Sequence, residues 1–404
     1  ASECDVGPPS EYFLNNLEVA MLADLSALRD NHDWLNTNGN RPGLLAELVN
    51  DYFQKLPISK LHVSEYLPIE LDEVVFATGT EYVGQSVDTS FNGHGGDLHK
   101  RVLRHTINNG IQSANIGLTV TGPGSAGIPL AGAFGDSSAQ PTNLTPQELR
   151  PFRMTNMATS VGRYTNTSGN IIDQTHCCSA GSGLASIGIT GGGNEITHEL
   201  GHELGLAHYP GVIHSIHSVE GGWSYDIFRG VMIGNLIWER DGATKRITDD
   251  SGRSASRPSF RGLYTFNTDP MAGAVTSGDT SRFTHHTPFS AKIIQDVLAI
   301  ENGRLDPGGV TGYEIWNEAN KSYVTHTLPL PKPIDNVAEV LTLVGVYDPE
   351  QINRSYIYPP LYGNFGNIFA PADLTQAMVR IFDAERGGRV TSDVNFGCYL
   401  RMTD

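Results

Sequence analysis

A segment of fifteen residues, 194–208, sets strict limits on the local structure of this chain. It reads NEITHELGHELGLAH and contains the pattern H-E-x-x-H-x-x-G-x-x-H. Because an α-helix has 3.6 residues per turn, His198 and His202 lie one turn apart on one face and can point at the same ion. Gly205 can adopt the left-handed conformation that ends a helix and turns the chain back. That turn would bring His208 to the same ion, so the segment predicts a helix, a sharp turn and a three-histidine metal site.

The donor set indicates which metal binds and what it does. Three neutral imidazoles leave Zn²⁺ one open tetrahedral position, which is the catalytic rather than the structural arrangement. Zinc lowers the pKa of a bound water toward about 7, and Glu199 can accept the proton as that water attacks a peptide carbonyl. We therefore predict one catalytic zinc ion, bound by His198, His202 and His208, with Glu199 as the general base. A helix that carries these residues by coincidence is a weak alternative, because five positions are fixed at once.

Composition excludes several other classes of protein. The chain has 404 residues, with 27 Lys and Arg against 44 Asp and Glu, which gives a formal net charge of −17. Phosphate backbones would repel so acidic a chain, so we expect no nucleic-acid partner. No stretch approaches the roughly 20 apolar residues of a transmembrane helix, so we expect no transmembrane segment. The 15 Phe, 15 Tyr and 4 Trp argue against disorder. The sequence does not determine the oligomeric state, and we favour a monomer.

Four cysteines leave the disulfide pattern open. Cys4 and Cys398 lie near the two ends of the sequence, whereas Cys177 and Cys178 are adjacent. Four cysteines allow three pairings, and a bond between neighbours closes a strained ring. If bridges form, we expect Cys4 and Cys398 each to pair with one of the middle two; four buried free thiols are the alternative. Bridges would suit a secreted protein, because disulfides persist outside the cytoplasm.

The remaining sequence alternates between helical and strand-like patterns. Apolar residues at three- and four-residue steps predict helical structure over 10–56. A second helix is predicted over 97–109, with Gly110 as its end, and a later one begins near Pro288. A short strand is predicted over 184–190, directly before the histidine segment.

The histidine motif resembles that of the metzincin clan of zinc endopeptidases. Metzincins place a methionine turn beneath the metal, and this chain offers Met232 and Met271 as candidates. Proline and glycine flank the second in DPMAG at 269–273, so we assign Met271, with an ordinary core methionine as the alternative. The resemblance implies an α+β fold: a metzincin-like zincin catalytic domain with a twisted mixed sheet, an active-site helix and a Met-turn.

From His198 onward the chain also resembles the StcE/TagA family of secreted bacterial metzincins, which cleave mucins and other heavily O-glycosylated proteins. Segments shared in order include WSYD at 223–226, RFT at 282–284, LVGVYDP at 343–349 and SYIYP at 355–359. The resemblance implies a secreted zinc endopeptidase whose partners are mucin-like O-glycosylated substrates. A general metzincin endopeptidase without a glycan requirement is the first alternative. A zinc-containing glycan-binding adhesin is the second, although a binding module would not need the glutamate.

Three residues after the motif are candidate substrate contacts. Tyr209 directly follows the third histidine and could bind substrate or simply pack. His217 could lie in the cleft or contact a metal ligand. Trp223 could stack on a sugar face, since an aromatic ring offers an apolar surface, or pack beneath a loop. The sequence determines neither calcium sites nor the cleavage motif.

We expect three segments along the chain. Residues 1–95 form an N-terminal helical and β segment packed on the catalytic domain. Residues 96–328 form the metzincin catalytic core. Residues 329–404 form a Tyr- and Pro-rich segment that completes the catalytic domain.

Overall fold

The fold is taken from a computed structural model. It describes residues 8–26, 49–50, 52–76, 80–87, 97–117, 120–121, 152–175, 178–179, 183–187, 194–208, 224–226, 230–233, 236–237, 245–248, 254–257, 265–266, 269–272, 286, 288–328, 330–347, 351–352, 354–369 and 396–402.

Strands predominate in the described residues. In chain order they are β1 (Glu11–Met21), β2 (Lys60–Glu65), β3 (Ile69–Leu71), β4 (Glu73–Val75), β5 (Glu81–Val83), β6 (Ser86–Val87), β7 (Val120–Thr121), β8 (Arg153–Thr165), β9 (Ile171–Thr175), β10 (Cys178–Ser179), β11 (Leu184–Ile187), β12 (Ser224–Asp226), β13 (Val231–Ile233), β14 (Leu236–Ile237), β15 (Lys245–Thr248), β16 (Ser254–Arg257), β17 (Thr265–Phe266), β18 (Gly303–Leu305), β19 (Tyr313–Asn317), β20 (Ser322–His326), β21 (Pro333–Tyr347), β22 (Tyr356–Ile357), β23 (Leu361–Phe369) and β24 (Phe396–Met402).

Helices are fewer. Helix α1 comprises π-type turns over Leu98–Asn108 and α-helical turns over Asn109–Asn115. Two further helices are α2 (Asn194–Glu203) and α3 (Pro288–Ile300), a 3₁₀ turn covers Pro270–Ala272, and residues 49–50 and 52–53 are also helical. None of the helices in the described part of the chain combines the length and apolarity that crossing a bilayer requires.

A mixed, largely parallel sheet forms the centre of the molecule. Its strand order is β10-β11-β8-β1-β2, with β3 paired to β1 and with β6 and β9 paired to β8. Strand β1 runs parallel to β2, β3 and β8, and β8 runs parallel to β11. Strands β9 and β10 pair antiparallel with β8 and β11. The expected α+β class with a mixed sheet is confirmed.

The two faces of the central sheet bury separate apolar clusters. Helices α2 and α3 share one cluster with the sheet, and α1 shares the other with β21 and β23. The α2 side includes these fully buried residues: Tyr12, Tyr52, Met157, Ala185, Ile187, Ile196, Leu200, Leu204, Ile294 and Leu298. This packing fixes α2 against strands β8 and β11 of the sheet. The division into segments 1–95, 96–328 and 329–404 stays a prediction.

The helix predicted over 10–56 is wrong at its start, where residues 11–21 form the central strand β1. Nearly every side chain of β1 is buried, because other strands flank it and both faces are covered. A strand buried on both faces loses the apolar–polar alternation that identifies strands, and three-residue steps such as Leu14 to Leu17 then mimic a helix. Residues 49–50 and 52–53 are helical, and 27–48 lie outside the described residues.

Gly110 does not end the second helix, contrary to the sequence prediction, because α1 continues to Asn115. A Cβ atom built on Gly110 would lie 2.6 Å from Cγ2 of Val344 in β21. The glycine therefore allows a close approach between helix and strand. The strand predicted over 184–190 is confirmed over Leu184–Ile187, and the helix near Pro288 is confirmed as α3.

We expect Gly110→Ala to lower the free energy of unfolding by about 1–3 kcal/mol, because the new methyl group overpacks against a stiff, buried valine. Denaturant unfolding measures the change. In a Val344→Ala background the same substitution should be close to neutral, since alanine favours helix over glycine and the clash is gone. An equal loss in both backgrounds would contradict this account of Gly110.

Candidate metal centre

Helix α2 begins at Asn194 and presents two different faces. Ile196, Leu200 and Leu204 are spaced by four residues and are fully buried in the core beside β11. His198 and His202 lie on another face and are partly buried. The apolar face explains why this segment is helical, and its packing directs the two histidines outward from the core.

The chain reverses just after α2. Gly205 has φ +88, the left-handed conformation that the sequence predicts. The Gly205 N–H donates to the His202 carbonyl and the Leu206 N–H to the Gly201 carbonyl, each at 3.0 Å. These two bonds form a Schellman motif, which satisfies the last carbonyls of the helix. The reversal leads directly to the exposed His208.

The three predicted ligands come together as the sequence indicates. One ring nitrogen from each of His198, His202 and His208 lies within 4.8 Å of the others, and the Nε2 atoms of His198 and His202 are 3.1 Å apart. Within the described part of the chain, this is the one group of three His, Cys, Asp or Glu side chains close enough to share an ion. Glu199 lies between the first two ligands in sequence and is largely buried.

Backbone carbonyls hold two of these imidazoles in one orientation. The Nδ1 atom of His198 lies 2.8 Å from the Pro270 carbonyl oxygen, and that of His202 lies 2.8 Å from the Leu206 oxygen. A carbonyl only accepts hydrogen bonds, so each Nδ1 carries the hydrogen and each neutral ring presents an Nε2 lone pair. Two lone pairs facing each other at 3.1 Å repel, and a cation shared between them removes that repulsion. Metal-ligating histidines generally make this bond through their other nitrogen, so the donor set fits zinc.

Met271 lies beneath α2, in the turn Pro270–Ala272. It is buried, and a Cβ atom built on Gly201 would lie only 2.8 Å from its sulfur. The glycine at 201 therefore leaves the space that the methionine fills. The alternative candidate, Met232, lies in strand β13. The role of Met271 as a Met-turn stays a prediction.

Several residues around this turn were not predicted from the sequence. Asp269 accepts hydrogen bonds from the Met271 N–H and from the hydroxyl of Ser290 in α3. The Asp-Pro pair is itself a turn signal, but nothing in the sequence links it to α3. Gly201 occupies a position that the histidine motif leaves unspecified, so only the packing reveals its importance.

His286 is also buried near this turn. Neither of its ring nitrogens has a hydrogen-bond partner among the described residues. Burial lowers the pKa of His286 to about 4; the Asp269 carboxylate opposes the shift and the Lys55 ammonium adds to it. The ring is therefore uncharged at neutral pH.

The predicted substrate contacts Tyr209, His217 and Trp223 lie outside the described residues. Cys4 and Cys177 lie outside them as well. Cys178 lies in β10 of the central sheet, and Cys398 lies in β24, which pairs with β21 in a second sheet. The disulfide pairing stays a prediction.

The sequence matches two known family models. A family model described as Peptidase M66 matches residues 1–302 of the 404, about three quarters of the sequence. The chain belongs to the peptidase M66 family. A second model, described as the ToxR activated gene A lipoprotein domain, matches residues 331–384 of this M66 protein.

Two curated relatives extend the comparison. The ToxR-activated gene A lipoprotein of Vibrio cholerae serotype O1 is 34% identical over 393 residues, which cover 96% of this chain and 34% of the relative. The Metalloprotease StcE of Escherichia coli O157:H7 is 28% identical over 329 residues, which cover 78% of this chain and 31% of the relative. The M66 chain thus spans about a third of the length of these relatives. The resemblance to the StcE/TagA family is confirmed, and the likeness to a metalloprotease supports a peptidase function.

The turn at Gly205 gives a test of how His208 is placed. A Cβ atom at Gly205 would lie 2.6 Å from Cγ2 of Val297 in α3, in addition to the strain of a positive φ. We expect Gly205→Ala to lower the free energy of unfolding by about 2 kcal/mol or more and to weaken zinc binding. Thermal unfolding of the metal-free protein and competition with a zinc chelator measure the two effects.

Gly84 supplies the matched control. It has φ +73, but nothing lies within 4 Å of its built Cβ atom. Gly84→Ala therefore introduces similar backbone strain without a clash and away from the histidines, and zinc affinity should not change. Unchanged zinc affinity in Gly205→Ala would show that the turn does not position His208.

Proposed function

We propose that this M66 chain contains the catalytic region of a secreted zinc endopeptidase that cleaves mucin-type O-glycosylated proteins. The observation that supports it best is the convergence of three imidazoles, two of them oriented by backbone carbonyls. The likeness to a protein named as a metalloprotease agrees with that chemistry.

In this proposal His198, His202 and His208 bind one zinc ion. When bound there, zinc would act as a Lewis acid that lowers the pKa of a water at its open position. Glu199 accepts a proton from the attacking water and passes it to the leaving amine. The residue is only 7% exposed, so few solvent molecules compete for it.

Met271 acts in this proposal as the Met-turn. Its sulfur packs against Gly201, one residue before the second ligand, and Pro270 accepts the hydrogen bond from the first. The turn would therefore keep α2 from shifting when an ion or a substrate binds. Its contribution is steric and orientational rather than chemical.

The proposed substrate class follows from the resemblance to the StcE/TagA family, and charge limits how such a substrate is bound. Mucins are commonly sialylated or sulfated and hence anionic, whereas this chain has a formal charge of −17. Long-range attraction therefore does not bring them together, and any repulsion is screened beyond roughly 8 Å at physiological salt. We expect short-range contacts with neutral sugars near the peptide, with Tyr209, His217 and Trp223 as candidate residues.

Incubation with a mucin and with its enzymatically deglycosylated form, followed by mapping of the cut sites, tests the proposal. We expect cleavage next to O-glycosylated residues in the mucin, and at least tenfold slower cleavage of the deglycosylated chain, since a site built for sugar contacts loses them. The Glu199→Gln protein is the inactive control. Equal cleavage of both forms would indicate a general endopeptidase, and binding without cleavage would indicate an adhesin.

A further inference from the structure

A continuous set of hydrogen bonds connects helix α3 to the first metal ligand. The Ser290 hydroxyl donates to Oδ2 of Asp269 at 2.8 Å, and the Met271 N–H donates to Oδ1 at 2.9 Å. Between Asp269 and Met271 lies Pro270, whose carbonyl oxygen is 2.8 Å from Nδ1 of His198. The carboxylate thus restrains the residues on both sides of the carbonyl that orients the ligand.

Burial strengthens the hydrogen bonds that Asp269 accepts. Asp269 is 0% exposed and Ser290 is 1% exposed, so water does not compete for either group. Hydrogen bonds to an ionised acceptor are shorter and about twice as strong as those between neutral groups. The two carboxylate oxygens are held by different elements, one by the turn itself and the other by α3. The carboxylate of Asp269, fixed by the hydroxyl of Ser290 in α3, gives the turn a rigid support.

We propose that Asp269 is a positioning residue for the metal centre. It holds the Pro270 carbonyl where it accepts the His198 Nδ1–H, and so keeps Nε2 of His198 directed at the ion. Ser290 supports Asp269 from α3. The inference rests on the metal site in the proposed function, but it does not depend on which substrate is cleaved or on whether cleavage occurs.

A purely structural role for Asp269 makes a different prediction. If the carboxylate only joins the turn to α3, its loss lowers stability and leaves the affinity of the folded protein for zinc unchanged. If Asp269 positions the ligand, its loss weakens zinc binding itself, because the unrestrained His198 ring must then be reoriented each time an ion binds. Residues that orient a metal ligand in this way typically contribute 10–100-fold to affinity.

The test measures the zinc affinity of Asp269→Ala by competition with a chelator of known affinity. We expect binding about 10–100-fold weaker than in the unsubstituted protein. With cobalt in place of zinc at saturation, the visible absorption bands of the variant should shift, since they report ligand geometry. Asp269→Asn should recover affinity to within about threefold, because its oxygen accepts from the Met271 N–H and its amide donates to the Ser290 oxygen.

Glu301 supplies the control for a general loosening of α3. It directly follows that helix, and its carboxylate lies 2.9–3.0 Å from Nη1 of the buried Arg153. Glu301→Ala should lower the unfolding temperature without changing zinc affinity, because the substitution breaks an ion pair with Arg153 of β8. Equal weakening of zinc binding by Glu301→Ala and Asp269→Ala would overturn the proposal.

Two further outcomes would overturn it: unchanged zinc affinity in Asp269→Ala, or an Asn variant as weak as the Ala variant. If Asp269→Ala does not fold, Ser290→Ala replaces it, and a folded Ser290→Ala protein with unaltered affinity and cobalt spectrum would refute the support from α3. Failure of the proposed peptidase function would appear separately, as absence of cleavage by the zinc-loaded unsubstituted protein.

Discussion

Glu199→Gln is expected to remove peptide-bond hydrolysis while leaving zinc bound. Glutamine has nearly the same size as glutamate and fits the same largely buried position, but its amide cannot take a proton from water. General-base catalysis typically contributes 10²–10⁴-fold, so we expect kcat/KM to fall by about 10³-fold or more. The three histidines are unchanged, so zinc should remain at about one ion per chain.

Elemental analysis of the purified protein and a cleavage assay measure the two quantities on the same sample. Glu195→Gln is the matched control, because it makes the same chemical change in the first turn of the same helix. It should retain both zinc and activity. Full activity in Glu199→Gln would remove this residue from the mechanism, and loss of zinc would show that it contributes to metal binding instead.

The second large effect is expected from His202→Ala. The three rings form a triangle in which the His202 centroid lies 4.7 Å from that of His198 and 4.8 Å from that of His208. Its removal leaves two ligands for an ion that needs three protein ligands in catalytic sites, so zinc content should fall by at least about tenfold and hydrolysis should be undetectable. Zinc content and hydrolysis, measured on the same sample, should fall together.

His62→Ala serves as the control for losing a histidine. His62 lies on the edge strand β2, stacks on Phe13 and contacts Glu11 at 2.8 Å. Its substitution should leave the zinc content and the activity unchanged. Retention of zinc and activity by His202→Ala would mean that the metal is bound elsewhere in the chain.

The metal ligands could be predicted from the sequence because their geometry is local. His198 and His202 are separated by one helical turn, and a glycine at 205 ends the helix, so three ligands are specified within eleven residues. The left-handed φ of Gly205 and the convergence of the rings follow from backbone geometry alone. The resemblance to the StcE/TagA family depended on further short segments shared in order, such as LVGVYDP at 343–349, and the family and relative matches confirm it.

The support beneath the ligands could not be predicted, because it depends on contacts between distant residues. Asp269 meets Ser290 across 21 positions, and Pro270 meets His198 across 72. The Asp-Pro sequence indicates a turn but not the element that receives it. Gly201 similarly becomes informative only when the sulfur of Met271 is found beside it.

The assignment of β1 failed for a different physical reason. Apolar spacing distinguishes a helix from a strand only when one face of the element meets water. Strand β1 is covered on both faces and both edges, so Leu14, Leu17 and Met21 carry no alternating pattern. The prediction that Gly110 ends a helix failed for a related reason. This glycine allows α1 to approach Val344 closely and does not mark the end of the helix.

Catalysis in the proposed function depends on one zinc ion bound by the three histidines. Crystals of the zinc-loaded protein, measured on both sides of the zinc absorption edge, locate that ion by its anomalous scattering. We predict a single strong peak about 2.0–2.1 Å from Nε2 of His198, from Nε2 of His202 and from the His208 ring. An anomalous map without such a peak, or with zinc bound by other side chains, would contradict the proposed three-histidine site.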